Sequence, residues 1–106
     1  MNISDKTKIV FVSEPGVMQE AILHILSQRE ADVVIIDANI PLEEMLALVR
    51  SITVMLPPVA CIALTSTRSQ MRLAMAEGAN AALPRSSPSH QISEAIQTTV
   101  RRANQP

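Results

Sequence analysis

Four short apolar runs divide the chain: Lys8 to Val12, Val33 to Ile36, Val59 to Leu64 and Ala79 to Leu83. Val33 to Ile36 are four consecutive β-branched residues, the composition of a parallel strand buried on both faces. Lys8 to Val12 reads as a second strand of that kind. Between the runs the period changes. Val17, Met18, Ala21, Ile22, Ile25 and Leu26 recur at helical spacing, with Glu20, His24 and Ser27 opposite. Leu42, Met45, Leu46, Val49 and Ile52 predict a helix from about Leu42 to Ile52, broken by Pro57-Pro58. Thr65-Ser66-Thr67 offers capping hydroxyls to a helix of roughly Ser69 to Glu77, which Gly78 closes as a left-handed cap. Ser87-Pro88 starts the last helix, with Ile92, Ala95, Ile96, Thr99 and Val100 on one face. Arg101 and Arg102 complement its C-terminal dipole.

Strands alternating with helices in this way predict an α/β fold, (βα)4, around a four-stranded parallel sheet. One domain spans residues 8–102, with 1–7 and 103–106 as loose ends. Ligands of such sheets gather outside the carboxyl ends of the strands. Strand-end positions place Ser13, Glu14, Asp37, Thr65 and Arg85 on that rim. Ser13-Glu14-Pro15 also reads as a cap and first turn for the helix that follows. Asp37 comes directly after Ile36, and Asn39 and Pro41 then turn the chain toward the next helix. From that stretch alone, Asp37 reads equally as a reacting carboxylate or as a plain strand-end and capping residue.

Composition narrows the function classes. A net charge of −1 gives no electrostatic footprint for nucleic acid, and one aromatic residue, Phe11, leaves no base-stacking surface. No apolar run is long enough to span a bilayer and no signal-peptide pattern opens the chain. The lone cysteine, Cys61, fits a reducing cytoplasm and falls in an apolar run, as an inert buried thiol does. His24 has no second ligand at metal-binding spacing and reads as a solvated residue. A nucleophile elbow, a Gly-rich phosphate loop and paired His ligands are all missing, which argues against an enzyme.

Asp37-Ala38-Asn39-Ile40-Pro41 after a run of aliphatics resembles the acceptor-aspartate strand of bacterial response-regulator receiver (CheY-like) domains. Val59-Ala60-Cys61-Ile62-Ala63-Leu64-Thr65 is similar to the family's strand ending in Thr or Ser. Gly78-Ala79-Asn80-Ala81-Ala82-Leu83-Pro84-Arg85 is similar to its Gly-Ala-Asp-x-Tyr-Leu-x-Lys. The resemblance runs from about Lys8 to Arg102. It implies a flavodoxin-like fold, Asp37 as phosphoacceptor, Thr65 and Arg85 as switch-like residues, and a magnesium ion held by Glu14 and Asp37. It also implies protein partners, a histidine kinase or an output protein, in a two-component-type pathway, with no nucleic acid and no membrane.

The sequence departs from that family at the residues that switch. The acidic pair resembles Ser13-Glu14, so one carboxylate is lost and magnesium binding is expected to be weak. Arg85 takes the lysine's place, and Ala82 that of the aromatic that reports phosphorylation. The guanidinium is expected to reach Asp37, directly or through water, the alternative being that Arg85 points into solvent. The expected protein is a degenerate pseudo-receiver working through protein contacts, the alternative a phosphorylatable single-domain regulator with Asp37 as acceptor.

Between Glu14 and Asp32 there is room for one helix where the family has helix, strand and helix, so one β-α unit is missing. Right-handed crossovers then wind three helices onto one face, leaving only the last for the other. The layering is therefore three-layer if that helix covers the second face and two-layer if it does not. A homodimer is expected, with the uncovered face or the first-strand edge in the contact.

Overall fold

The structure is a computed structural model that describes residues 7–103, with side chains to residue 100. Most of the expected loose ends, and the side chains of Arg101 and Arg102, lie outside the described residues. Strands β1 (Ile9–Val12), β2 (Val33–Ile36), β3 (Ala60–Thr65) and β4 (Ala81–Pro84) alternate with helices α1 (Gln19–Gln28), α2 (Leu42–Met55), α3 (Arg68–Glu77) and α4 (Ser89–Ala103). The strands lie in chain order, β1-β2-β3-β4, and every pairing is parallel. Relative to the 2-1-3-4-5 order of flavodoxin-like sheets that the sequence resemblance implies, the described residues have no strand beyond β1.

Each crossover steps the same way along the sheet, and right-handedness therefore sends α1, α2 and α3 to one face. Val10, Val12, Val34, Ile36, Cys61 and Ala63 point to that face and pack with Ile22, Leu26, Met45, Leu48, Val49, Ile52 and Ala74. The alternate residues Val33, Ile35, Ile62 and Leu64 point the other way, beneath Ile92, Ile96 and Val100 of α4. The fold has three layers. β2 and β3 are buried on both faces because both layers cover them.

β1 differs from the two-face-buried strand its sequence predicts. Ile9 is 40% and Phe11 53% exposed. α4 packs on β3 and β4, and its apolar cluster extends across β2 but stops short of β1. The uncovered area is thus confined to the edge strand and does not take in a whole sheet face.

Ser13 and Glu14 also do not cap α1. That helix begins at Gln19 after Met18, which makes no side-chain capping bond, and Ser13 to Gly16 stay in the loop. α1 ends with Glu30 at φ 51°, a left-handed residue without glycine, while the Ala31 amide returns to the Leu26 carbonyl. α3 has the expected caps, with the Thr67 hydroxyl accepting from the Gln70 amide and Gly78 left-handed. Arg50 of α2 and Glu77 of α3 form a two-pronged ion pair, both contacts 2.8 Å. The hydrogen bonds from Arg50 hold the Glu77 carboxyl below the usual carboxylate range.

Candidate functional site

Parallel register sets the rim. Val12 is level with Ile36 and Ile36 with Ala63, while Thr65 is level with Pro84. Ser13, Glu14, Asp37, Thr65 and Arg85 therefore leave neighbouring strands on the same side of the sheet, as the strand-end logic expects. Two backbone bonds carry the ladder into the rim: the Asp37 amide donates to the Val12 carbonyl at 2.9 Å, and the Arg85 amide to the Thr65 carbonyl at 2.8 Å.

Asp37 is half-buried, and its Oδ1 accepts from the Ala38 amide at 2.7 Å. The Ile40 amide closes the turn on the Asp37 carbonyl at 3.2 Å. The aspartate thus orders its own turn but does not cap α2, whose N-cap is Pro41, and it remains open to solvent on one side. Thr65 is buried, and its hydroxyl donates to the Leu83 carbonyl of β4 at 3.3 Å. A hydroxyl needs an acceptor when buried, and β4 supplies it here.

The expected direct contact of Arg85 with Asp37 does not form. Among the described residues the ion pairs are Lys8–Glu30 and Arg50–Glu77. β4 is two strand spacings, about 10 Å, from β2, so the guanidinium would have to reach across Thr65. Arg85 is exposed instead, its backbone fixed between Pro84 and the Thr65 carbonyl.

Glu14 is exposed. Among the described residues no group of three or more His, Cys, Asp or Glu side chains converges to hold a metal. Magnesium commonly takes one or two carboxylates, with waters and a phosphoryl group completing six oxygens. Asp37 and Glu14 meet only that minimum, so the residues present fit a magnesium ion weakly at best. Ala82 is half-buried beside the α1–α3 core, where the resemblance places an aromatic.

Two residues outside the expected site set, Asn39 and Glu44, hold the site's first loop. The Asn39 side-chain amide donates to the Ser13 carbonyl at 2.6 Å. Glu44, in the first turn of α2, accepts the Gly16 amide on both carboxylate oxygens at 2.9 and 3.2 Å. Asn39 is visible in sequence as a turn residue, but Glu44 carries no such signal. It reads as a helix-start acid complementing the dipole, and its partner lies 28 residues away.

No family model matches the sequence, and no curated protein sequence matches it significantly. The fold has clear neighbours among solved structures. A response-regulator receiver domain from Clostridium thermocellum superposes with a TM-score of 0.73 at 24% identity, over 91% of this chain and 95% of that one. The signal receiver domain of the response regulator NarL from Mycobacterium tuberculosis gives 0.70 at 14% identity, over 90% and 97%. A CheY-like protein, TadZ, from Pseudomonas aeruginosa gives 0.69 at 16% identity, over 95% of each chain. The chain has the receiver fold. At these identities the likeness concerns backbone architecture. Among the described residues no helix is long and apolar enough to cross a membrane.

Proposed function

We propose that this chain is a cytoplasmic regulatory module of a two-component-type pathway, a pseudo-receiver that works through protein contacts, a second copy of itself included, without the ordinary phospho-switch. It is a regulatory module and not an enzyme. The observation that supports this reading is the rim itself. Asp37 stands at the acceptor position, but only the exposed Glu14 follows β1, and Arg85 makes no ion pair with Asp37. A receiver switch needs charge neutralised at the aspartate and a side chain that moves in response. Here the metal donors are at their minimum and the aromatic's position is Ala82.

The alternative is a phosphorylatable single-domain regulator. A half-buried Asp37 carboxylate that is open to solvent on one side favours that reading. In that case Asp37 attacks a kinase phosphohistidine, the P–N bond breaks, and an acyl phosphate forms as the imidazole leaves.

Adding magnesium and beryllofluoride to the isotopically labelled protein separates the two. Unchanged amide shifts are expected. Shifts concentrated at Glu14, Asp37 and Thr65 would overturn the pseudo-receiver reading and establish the alternative.

A further inference from the structure

Among the described residues β1 is an edge strand with no strand paired along its outer side. The Lys8 carbonyl accepts from the Asp32 and Val33 amides and the Val12 carbonyl from the Asp37 amide, all on the β2 side. Alternation in a parallel ladder then aims the amide and carbonyl of Ile9 and of Phe11 away from the sheet. Their side chains also lie beyond the reach of the α4 cluster, 40% and 53% exposed. On the other face, Val10, Val12, Val17, Ile22 and Ile25 line a groove of about 240 Å³ between β1 and α1, open along the same edge.

Natural sheets blunt such edges with charge, proline or bulges. Ile9-Val10-Phe11-Val12 has none of these. We infer that the β1 edge is the contact surface for a second copy of this chain, paired antiparallel about a two-fold axis through Val10. This deepens the self-association in the proposed function by naming the surface and the register.

Two identical strands can close on each other only when antiparallel, since a two-fold axis normal to the sheet reverses their direction. Centring the axis on Val10 sets Ile9 opposite Phe11 of the partner copy, and Phe11 opposite its Ile9. All four outward backbone groups of each edge are then paired, because these are hydrogen-bonded positions of an antiparallel ladder. The exposed Ile9 and Phe11 side chains meet across the seam on one face. On the other face each copy brings its own α1, with Ile25 at 41% exposure, over the shared groove. An isolated extended peptide would pair the backbone but bring no second layer, so a second copy fits the groove better.

Ile9, Phe11 and Ile25 together offer on the order of 300 Å² of exposed apolar surface per protomer. Even with the strand backbone and groove walls, the contact stays below the roughly 1,200 Å² in total at which stable specific interfaces begin. A reversible, concentration-dependent dimer is therefore expected.

Sedimentation equilibrium from low to several hundred micromolar, together with amide exchange on the unmodified chain, tests this. Mass should rise from 11.5 kDa toward twice that value. Exchange at the Ile9 and Phe11 amides should slow over the same range. Phe11→Lys should weaken association by roughly tenfold or more, since each dimer loses two cross-strand pairs. Combining it with Ile9→Glu should restore association, because this register sets each new lysine against a new glutamate. Circular dichroism checks that the variants fold, and exchange on the unmodified chain decides the matter if they do not.

A constant 11.5 kDa mass across the range would overturn the inference. So would a dimer whose Ile9 and Phe11 amides exchange freely, or a monomer in which they are protected at every dilution, since another segment would then cover the edge. None of these outcomes alters the beryllofluoride result, so the two readings fail separately.

Discussion

Asn80 and Cys61 are joined by a reciprocal pair of hydrogen bonds. The Cys61 amide donates to Asn80 Oδ1 at 2.8 Å, and the Asn80 amide donates to the Cys61 carbonyl at 2.8 Å. The two bonds anchor the approach to β4 on the start of β3, just before the strands pair at Ile62 and Ala81. Cys61 is fully buried, so its amide has no water to fall back on.

Asn80→Ala should therefore destabilise the fold by about 1–3 kcal/mol, the penalty for leaving a buried donor unsatisfied. Asn80→Asp keeps the acceptor and should cost less. Urea unfolding of the three proteins checks this, and equal midpoints for Asn80→Ala and the unmodified chain would refute it.

Gly78 has φ +119°, and a Cβ there would sit 2.7 Å from the Thr53 hydroxyl oxygen and 2.9 Å from its methyl. Gly78→Ala should lower stability by at least the roughly 1–2 kcal/mol of left-handed backbone cost, with steric collision added. Adding Thr53→Ala should recover the collision part only. Thermal unfolding of the single and double variants separates the two components.

Burial pushes the Cys61 thiol up to about 12, from a usual 9.0. The folded state therefore holds its proton more tightly than the unfolded chain. Stability from this group is fully present below about pH 9 and is lost as pH rises toward 12. The slope in that window is at most about 1.4 kcal/mol per pH unit. The difference in stability between the unmodified chain and Cys61→Ala, followed from pH 8 to 11, should change with that sign. Native protein should also resist thiol reagents at pH 8 and react on unfolding. Rapid labelling of the native protein would contradict the burial.

Much of the fold was determined by the sequence alone. Val33 to Ile36 and Ala60 to Leu64 are apolar without alternation, and such runs are stable only between two covering layers. The short Glu14 to Asp32 connection dictated four strands in chain order, and crossover handedness dictated three helices on one face. Strand ends then brought Ser13, Glu14, Asp37, Thr65 and Arg85 to one rim.

Tertiary structure decided what local pattern does not encode. Ile9 and Phe11 have a buried strand's composition, yet α4 lies over β3 and β4 and leaves them exposed. A residue's own pattern reports its preference for cover, whereas the placement of one distant helix decides whether the cover is there. The Glu44 clasp on Gly16 depends in the same way on two segments 28 residues apart meeting in space. Arg85 has the charge to reach Asp37, but strand spacing and the fixed backbone at Pro84 and Thr65 keep it in solvent. Periodicity and composition act over one or two turns of chain, while these contacts are set by how whole elements stack.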